Sequence, residues 1–178
     1  PGHVEFTAEA ERELRVLDGA VGVFCGVAGV QAQSETVWRQ ADRYNVPRIV
    51  FINKLDRVGA DFFRVAENVS KSFSIDTLPL NIPVGQESEF KGVVDLLTMK
   101  QHSFDEESLG AHVVEGDIDE DQQETAELWR SDLLDRVADY DDDVMELHME
   151  GQDIPLEMLK AAIRRGTLAR HWVPVLGG

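Results

Sequence analysis

Val46-Pro47-Arg48-Ile49-Val50-Phe51-Ile52-Asn53-Lys54-Leu55-Asp56 decides how the rest of the chain is read. An apolar run of strand length ends here in a polar tetrad. Ligands of open α/β sheets sit beyond the carboxyl ends of the strands, which is where Asn-Lys-x-Asp falls. The residue types suit one base, guanine. The Asp56 carboxylate can accept together from the ring N–H and the exocyclic amine of that base. Adenine carries a ring acceptor instead and would leave the carboxylate facing a lone pair, a mismatch that strands a desolvated group. Asn53 can bond the other edge of the base and brace the neighbouring loop, and the stem of Lys54 can lie along the ring face. The four residues alone also fit an exposed polar turn after a strand. Their surroundings decide between the two readings.

Working outward, Thr7, Ala10, Leu14 and Leu17 form a helical stripe that Asp18-Gly19 ends. Ala20 to Cys25 reads as a fully buried strand, with Cys25 a buried thiol. Gly26-Val27-Ala28-Gly29 is a loop. It is not a phosphate cradle, because such a cradle needs Gly-x-x-x-x-Gly-Lys-Ser/Thr, and no stretch of the chain fits that pattern. Ser34 to Asn45 is predicted as a helix with Val37, Ala41 and Tyr44 on one face and Trp38 beside them, packed on the sheet. Beyond Arg57-Val58-Gly59-Ala60, Phe62, Ala66, Val69 and Phe73 mark another helix. Strand and helix alternate on a spacing that implies parallel strands with right-handed crossovers.

From Ser74 the pattern changes. Leu78 to Val84, Phe90 to Leu97 and Met99 to Phe104 read as closely spaced strands, which favours antiparallel pairing. An acid-rich loop, Asp105 to Asp121, leads into a helix marked by Ala126, Trp129, Leu133 and Val137. Asp141-Asp142-Asp143 opens a second, ending near Gly151. Ile154-Pro155 opens a third with Leu156, Leu159 and Ile163 on its apolar face, and His171 to Leu176 returns as a strand. His102, His112 and His148 lack the short spacing of zinc ligands, and the triple aspartate lacks the glycine and glutamate of a calcium loop, so no metal site is assigned.

At 178 residues the chain fits one domain, or one domain carrying a sizeable insertion, and roughly 70% of its unfolded surface can be buried. A hydrophobic fraction of 43% and a charged fraction of 29% place it among globular proteins. No apolar stretch approaches the roughly 20 residues of a membrane helix. One cysteine allows no internal disulfide, and a cytoplasmic setting is expected. The charge is uneven. Residues 1–73 and 172–178 hold 10 acids and 9 bases, whereas 74–171 hold 24 acids and 8 bases. Such a segment should be repelled from bare RNA; if it contacts anything, a basic protein surface suits it better, a merely solubilising acidic face being the alternative, and no direct binding of DNA is expected.

Several stretches carry a family resemblance: Pro1-Gly2-His3-Val4-Glu5-Phe6-Thr7, Leu14 to Val21, Gly29-Val30-Gln31-Ala32-Gln33-Ser34-Glu35 through Ala41, and Val46 to Phe63. They resemble the GTPase domain of the elongation factor G family of translational GTPases. The similarity is looser through Ile82-Pro83-Val84-Gly85, Phe90-Lys91-Gly92-Val93-Val94-Asp95-Leu96 and the final strand. The resemblance implies an α/β fold, a P-loop-GTPase-like, mostly parallel sheet with flanking helices. It lacks its first elements and carries an inserted α+β subdomain. Residues 1–73 and 172–178 would be the partial GTPase domain, and 74–171 the acidic insertion.

The resemblance also implies roles. Lys54 and Asp56 would select guanine, with Asn53 bracing the loop. The Gly2 amide would contact the terminal phosphate, and His3 would orient the attacking water as the catalytic residue. GTP or GDP and Mg²⁺ would be the ligands. The ribosome would be the partner, through its large-subunit factor-binding site and stalk proteins, with tRNA–mRNA translocation as the outcome. The family's Asp-Thr lead-in to Pro1 and the completion of its Gly-Ser-Ala loop after Gly177 are not in the chain. Truncation at both ends, and loss of GTP hydrolysis in the 178 residues alone, are therefore expected. A ribosome-recycling or organellar form of the factor stays open, as does a non-catalytic interaction module. The insertion disfavours a release factor or a tetracycline-protection protein.

Overall fold

The computed structural model describes residues 7–104 and 112–178. Gly2 and His3 lie outside the described residues, as do the first seven residues of the expected acid-rich loop.

The first half alternates helix and strand: α1 (Thr7–Leu14), β1 (Ala20–Cys25), α2 (Ala32–Arg43), β2 (Arg48–Asn53) and α3 (Phe62–Phe73). The helices start and stop for local reasons. The Asp61 side chain accepts from the Arg64 amide at 2.9 Å and so caps α3, and Ser74, at φ 51°, ends it in the left-handed region. β1 and β2 pair in parallel from Ala20↔Arg48 to Cys25↔Asn53. β3 (Thr77–Pro79) and β8 (Val173–Gly177) complete this sheet in the order β1-β2-β8-β3. On one face Phe24, Val50, Ile52, Val173 and Val175 meet Trp38 of α2 and Phe62, Val65 and Val69 of α3. Trp38 stacks on Phe73 at 4.3 Å between ring centroids. The Arg48 guanidinium lies 4.3 Å over the Trp38 ring and pairs with Asp42, which satisfies a charge that is otherwise buried.

A second sheet is antiparallel: β4 (Asn81–Val84), β5 (Gly92–Asp95), β6 (Lys100–Phe104) and β7 (Val113–Gly116) in sequential order. It packs with α4 (Glu120–Tyr140), α5 (Asp142–Met149) and α6 (Leu156–Leu168). Its core holds Ile82, Val94, Leu96, Leu133, Val137, Leu159 and Trp172. The Trp172 indole donates to the Ile163 carbonyl at 3.1 Å. Gly166 makes room for it, since a Cβ there would sit 2.3 Å from the ring. No described helix is long and apolar enough to cross a membrane.

The fold is the expected α/β class, and four local expectations need correction. β1 is not fully buried: it edges the sheet, and Val21 and Val23 are 62% and 63% exposed because no described element covers that face. Cys25 is accordingly half-buried. Leu17 lies beyond α1 and is exposed. Leu78-Pro79 belong to the parallel sheet, through Leu78↔Pro174, instead of joining the antiparallel run. Within the expected acidic loop, Val113–Gly116 forms β7, paired with β6 although all four residues are exposed. Two adjacent valines followed by Glu-Gly give no alternation to announce a strand.

Candidate functional site

The polar tetrad sits where β2 leaves the sheet. Asn53 is its last strand residue, in register with Cys25. Its backbone carbonyl accepts from the Gly26 amide at 2.8 Å, so the loop after β1 is tied to the tetrad. Its side-chain oxygen accepts from the Lys54 amide at 2.9 Å. That bond holds a tight corner, because Lys54 adopts φ 66°, a left-handed conformation costing about 1 kcal/mol in a non-glycine residue. Such strain is retained where the surroundings enforce it, often at functional sites. Asn53 thus braces the neighbouring loop through its main chain, while its side chain braces the tetrad itself.

Leu55 is the anchor. It is buried, and its amide donates to the Gly178 carbonyl at 3.4 Å. The Gly178 amide in turn donates to the Ile52 carbonyl at 3.0 Å. A Cβ on Gly177 would lie 2.7 Å from Phe62 and 2.8 Å from Leu55, so only glycine lets the last strand approach this closely. With Leu55 turned inward, Lys54 and Asp56 both face solvent. Among the described residues the Asp56 carboxylate makes no hydrogen bond or ion pair. A rigid corner therefore presents an open carboxylate, as the recognition of a donor pair on a base requires.

Three residues that sequence reasoning did not single out hold the surrounding loops. The Arg64 guanidinium donates to the carbonyls of Gly26, Val27 and Gly59 at 3.0, 2.9 and 3.4 Å. Glu87 accepts from the Gly59 amide at 2.7 Å. Asn81 bonds both polar groups of Gly177. The helical position of Arg64 reads from sequence as a solvated face, and nothing local marks the other two. Cys25 lies beside Asn53. Hydrogen bonds from the Ala28 and Val27 amides hold its thiol below the usual value against the opposing effect of burial, helped by the charges of Lys54 and Arg57.

The other candidates do not converge on this site. His102 faces Glu115 on the antiparallel sheet, and His148 pairs with Asp135 on the helices. Among the described residues no group of three or more His, Cys, Asp or Glu side chains could hold a metal ion.

The family model for the elongation factor Tu GTP binding domain matches residues 1–164. Elongation factor G 2 of Syntrophomonas wolfei subsp. wolfei (strain DSM 2245B / Goettingen) is 49% identical over all 178 residues. The chain spans 26% of that relative's length. A crystal structure of a Thermus thermophilus protein superimposes over the whole chain with a TM-score of 0.86 at 24% identity, again over 26% of its length, which supports the fold. The chain belongs to the elongation factor Tu GTP-binding domain family.

Proposed function

We propose that these residues form part of a ribosomal translocation GTPase of the elongation factor G type, a whole protein that binds and hydrolyses GTP to drive tRNA–mRNA movement. The observation that carries this reading is the 49% identity with Elongation factor G 2 over the full 178 residues. The ribosome, through its factor-binding site and stalk proteins, is the partner, and the cytoplasm is the compartment. Asp56 selects guanine, Lys54 covers the ring and Asn53 holds the corner. The open Asp56 carboxylate on its strained turn fits that ligand. Gly2 and His3 act at the terminal phosphate and on the attacking water.

Mg²⁺ neutralises phosphate charge in such reactions. The described residues supply no ligand set for it. The 178 residues also contain no Gly-x-x-x-x-Gly-Lys-Ser/Thr cradle, so on their own they do not hydrolyse GTP. Residues 1–73 and 172–178 act as the nucleotide-reading part, and 74–171 as an acidic subdomain that also lends β3 to the parallel sheet.

Titration of fluorescent GDP and xanthosine diphosphate into the whole protein and its Asp56→Asn variant tests the reading. The amide reverses donor and acceptor, so preference should pass from guanine to xanthine by at least about tenfold. A variant that keeps the original preference would overturn the assignment of Asp56.

A further inference from the structure

Asn81 begins β4, on the antiparallel sheet, yet its carboxamide reaches across to the last strand of the parallel sheet. Its Nδ2 donates to the Gly177 carbonyl at 3.2 Å, and its Oδ1 accepts from the Gly177 amide at 2.8 Å. Asn81 is buried at 8% exposure, so these two bonds satisfy a carboxamide largely removed from water. The residue that follows Gly177 is the one whose carbonyl receives the Leu55 amide and whose amide binds Ile52. Gly177 itself packs against the Leu55 side chain. One asparagine, 96 residues away in sequence, therefore fixes the peptide against which the middle of the tetrad rests.

The same segment grips the tetrad's other end. After Gly85, whose φ of 80° and tight approach to Glu89 demand glycine, the chain turns at Glu87. Glu87 accepts from the Gly59 amide, three residues past Asp56, and Gln86 donates to the Ala60 carbonyl at 3.4 Å. Lys54, Leu55 and Asp56 thus lie between a clamp at Gly177-Gly178 and a clamp at Gly59-Ala60. Both clamps come from residues 81–87.

We propose that Asn81 is a positioning residue for the base site, setting the Leu55 corner so that Asp56 meets the ligand in register; this rests on the reading of Asp56 as the base-selecting carboxylate. Asn81 touches no base. It acts through Gly177, Gly178 and Leu55, and its loss leaves both polar groups of Gly177 unpaired.

The test is the dissociation rate of fluorescent GDP from the whole protein that carries this chain. Asn81→Ala should release GDP about tenfold faster, the scale set by one or two lost buried hydrogen bonds. Asn81→Asp keeps the acceptor for the Gly177 amide and should fall between the two, and it carries the test if the alanine variant does not fold. Arg136→Ala is the control. Arg136 binds Asp76 and the Thr77 carbonyl, so its loss loosens the same segment away from the tetrad, lowering Tm with GDP release unchanged. Unchanged GDP release in both Asn81 variants overturns the proposal, as does equal acceleration in Arg136→Ala. Asp56→Asn separates this from the parent reading: retained guanine preference there sinks the base site itself, whatever Asn81 does.

Discussion

Trp129 of α4 stacks on Phe63 of α3, with ring centroids 5.0 Å apart and planes inclined by 18°. Phe63 also meets Phe62 edge-on at 5.3 Å, and Phe62 is buried beside Leu55 under Gly177. An aromatic relay therefore runs from the long helix of the second half to the floor of the candidate site. Trp129→Ala should cost about 2 kcal/mol, less than a fully buried tryptophan would, because part of its ring stays wet. Urea unfolding followed by circular dichroism measures this. A loss indistinguishable from zero would mean that the stack carries no stability.

Arg64 ties two loops together through three carbonyl oxygens. Arg64→Met keeps the stem but removes every donor, and should cost about 1–3 kcal/mol, the range for hydrogen bonds to a charged group. Hydrogen exchange should rise at the amides of Gly29, Gly59 and Ala60 and stay unchanged in the antiparallel sheet.

At Gly177 the added methyl of an alanine would overlap Phe62 and Leu55. Gly177→Ala should lower stability by about 1–3 kcal/mol through overpacking. It should also weaken guanine-nucleotide binding by the whole protein, since Leu55 must move. Calorimetric melting and a GDP titration read the two effects separately.

Burial works to raise the pKa of Asp141, but hydrogen bonds from Arg165 and the Val144 amide, with the Arg165 charge, outweigh it and hold the carboxyl below its ordinary 3.8. The folded state thus prefers the ionised form. Its stabilising contribution is complete above the ordinary value and is lost as pH falls through the lower, folded one. Asp141→Asn should therefore flatten the fall in Tm below about pH 4 without changing its shape near neutrality. A parallel acid limb in the variant would remove Asp141 as a contributor.

The tetrad was legible because strand period, polar ending and residue chemistry coincide within eleven letters. The helices were legible too, since Phe62, Ala66, Val69 and Phe73, or Leu156, Leu159 and Ile163, repeat at helical spacing. What could not be read depends on partners remote in sequence. Val21 and Val23 look like any buried strand, and only the sheet order shows that their face is uncovered. Leu78-Pro79 carry no mark distinguishing a parallel partner from the antiparallel run that follows. Asn81 and Glu87 are ordinary polar residues until the fold delivers Gly177 and Gly59 to them.

The strand order β1-β2-β8-β3 places the last strand inside the sheet instead of at its rim. During synthesis, the residues of β2 and β3 precede residues 173–177, which pair with both. Each waits with a bare row of amides and carbonyls, the kind of edge that invites pairing with a stranger. Contacts closed over such a distance in sequence form slowly. The sheet is thus a keystone structure: β2 and β3 meet only through β8, and Gly177 and Gly178 hold the corner that bears Asp56. Nascent chains halted before Val173 should consequently be the ones that chaperones and proteases find.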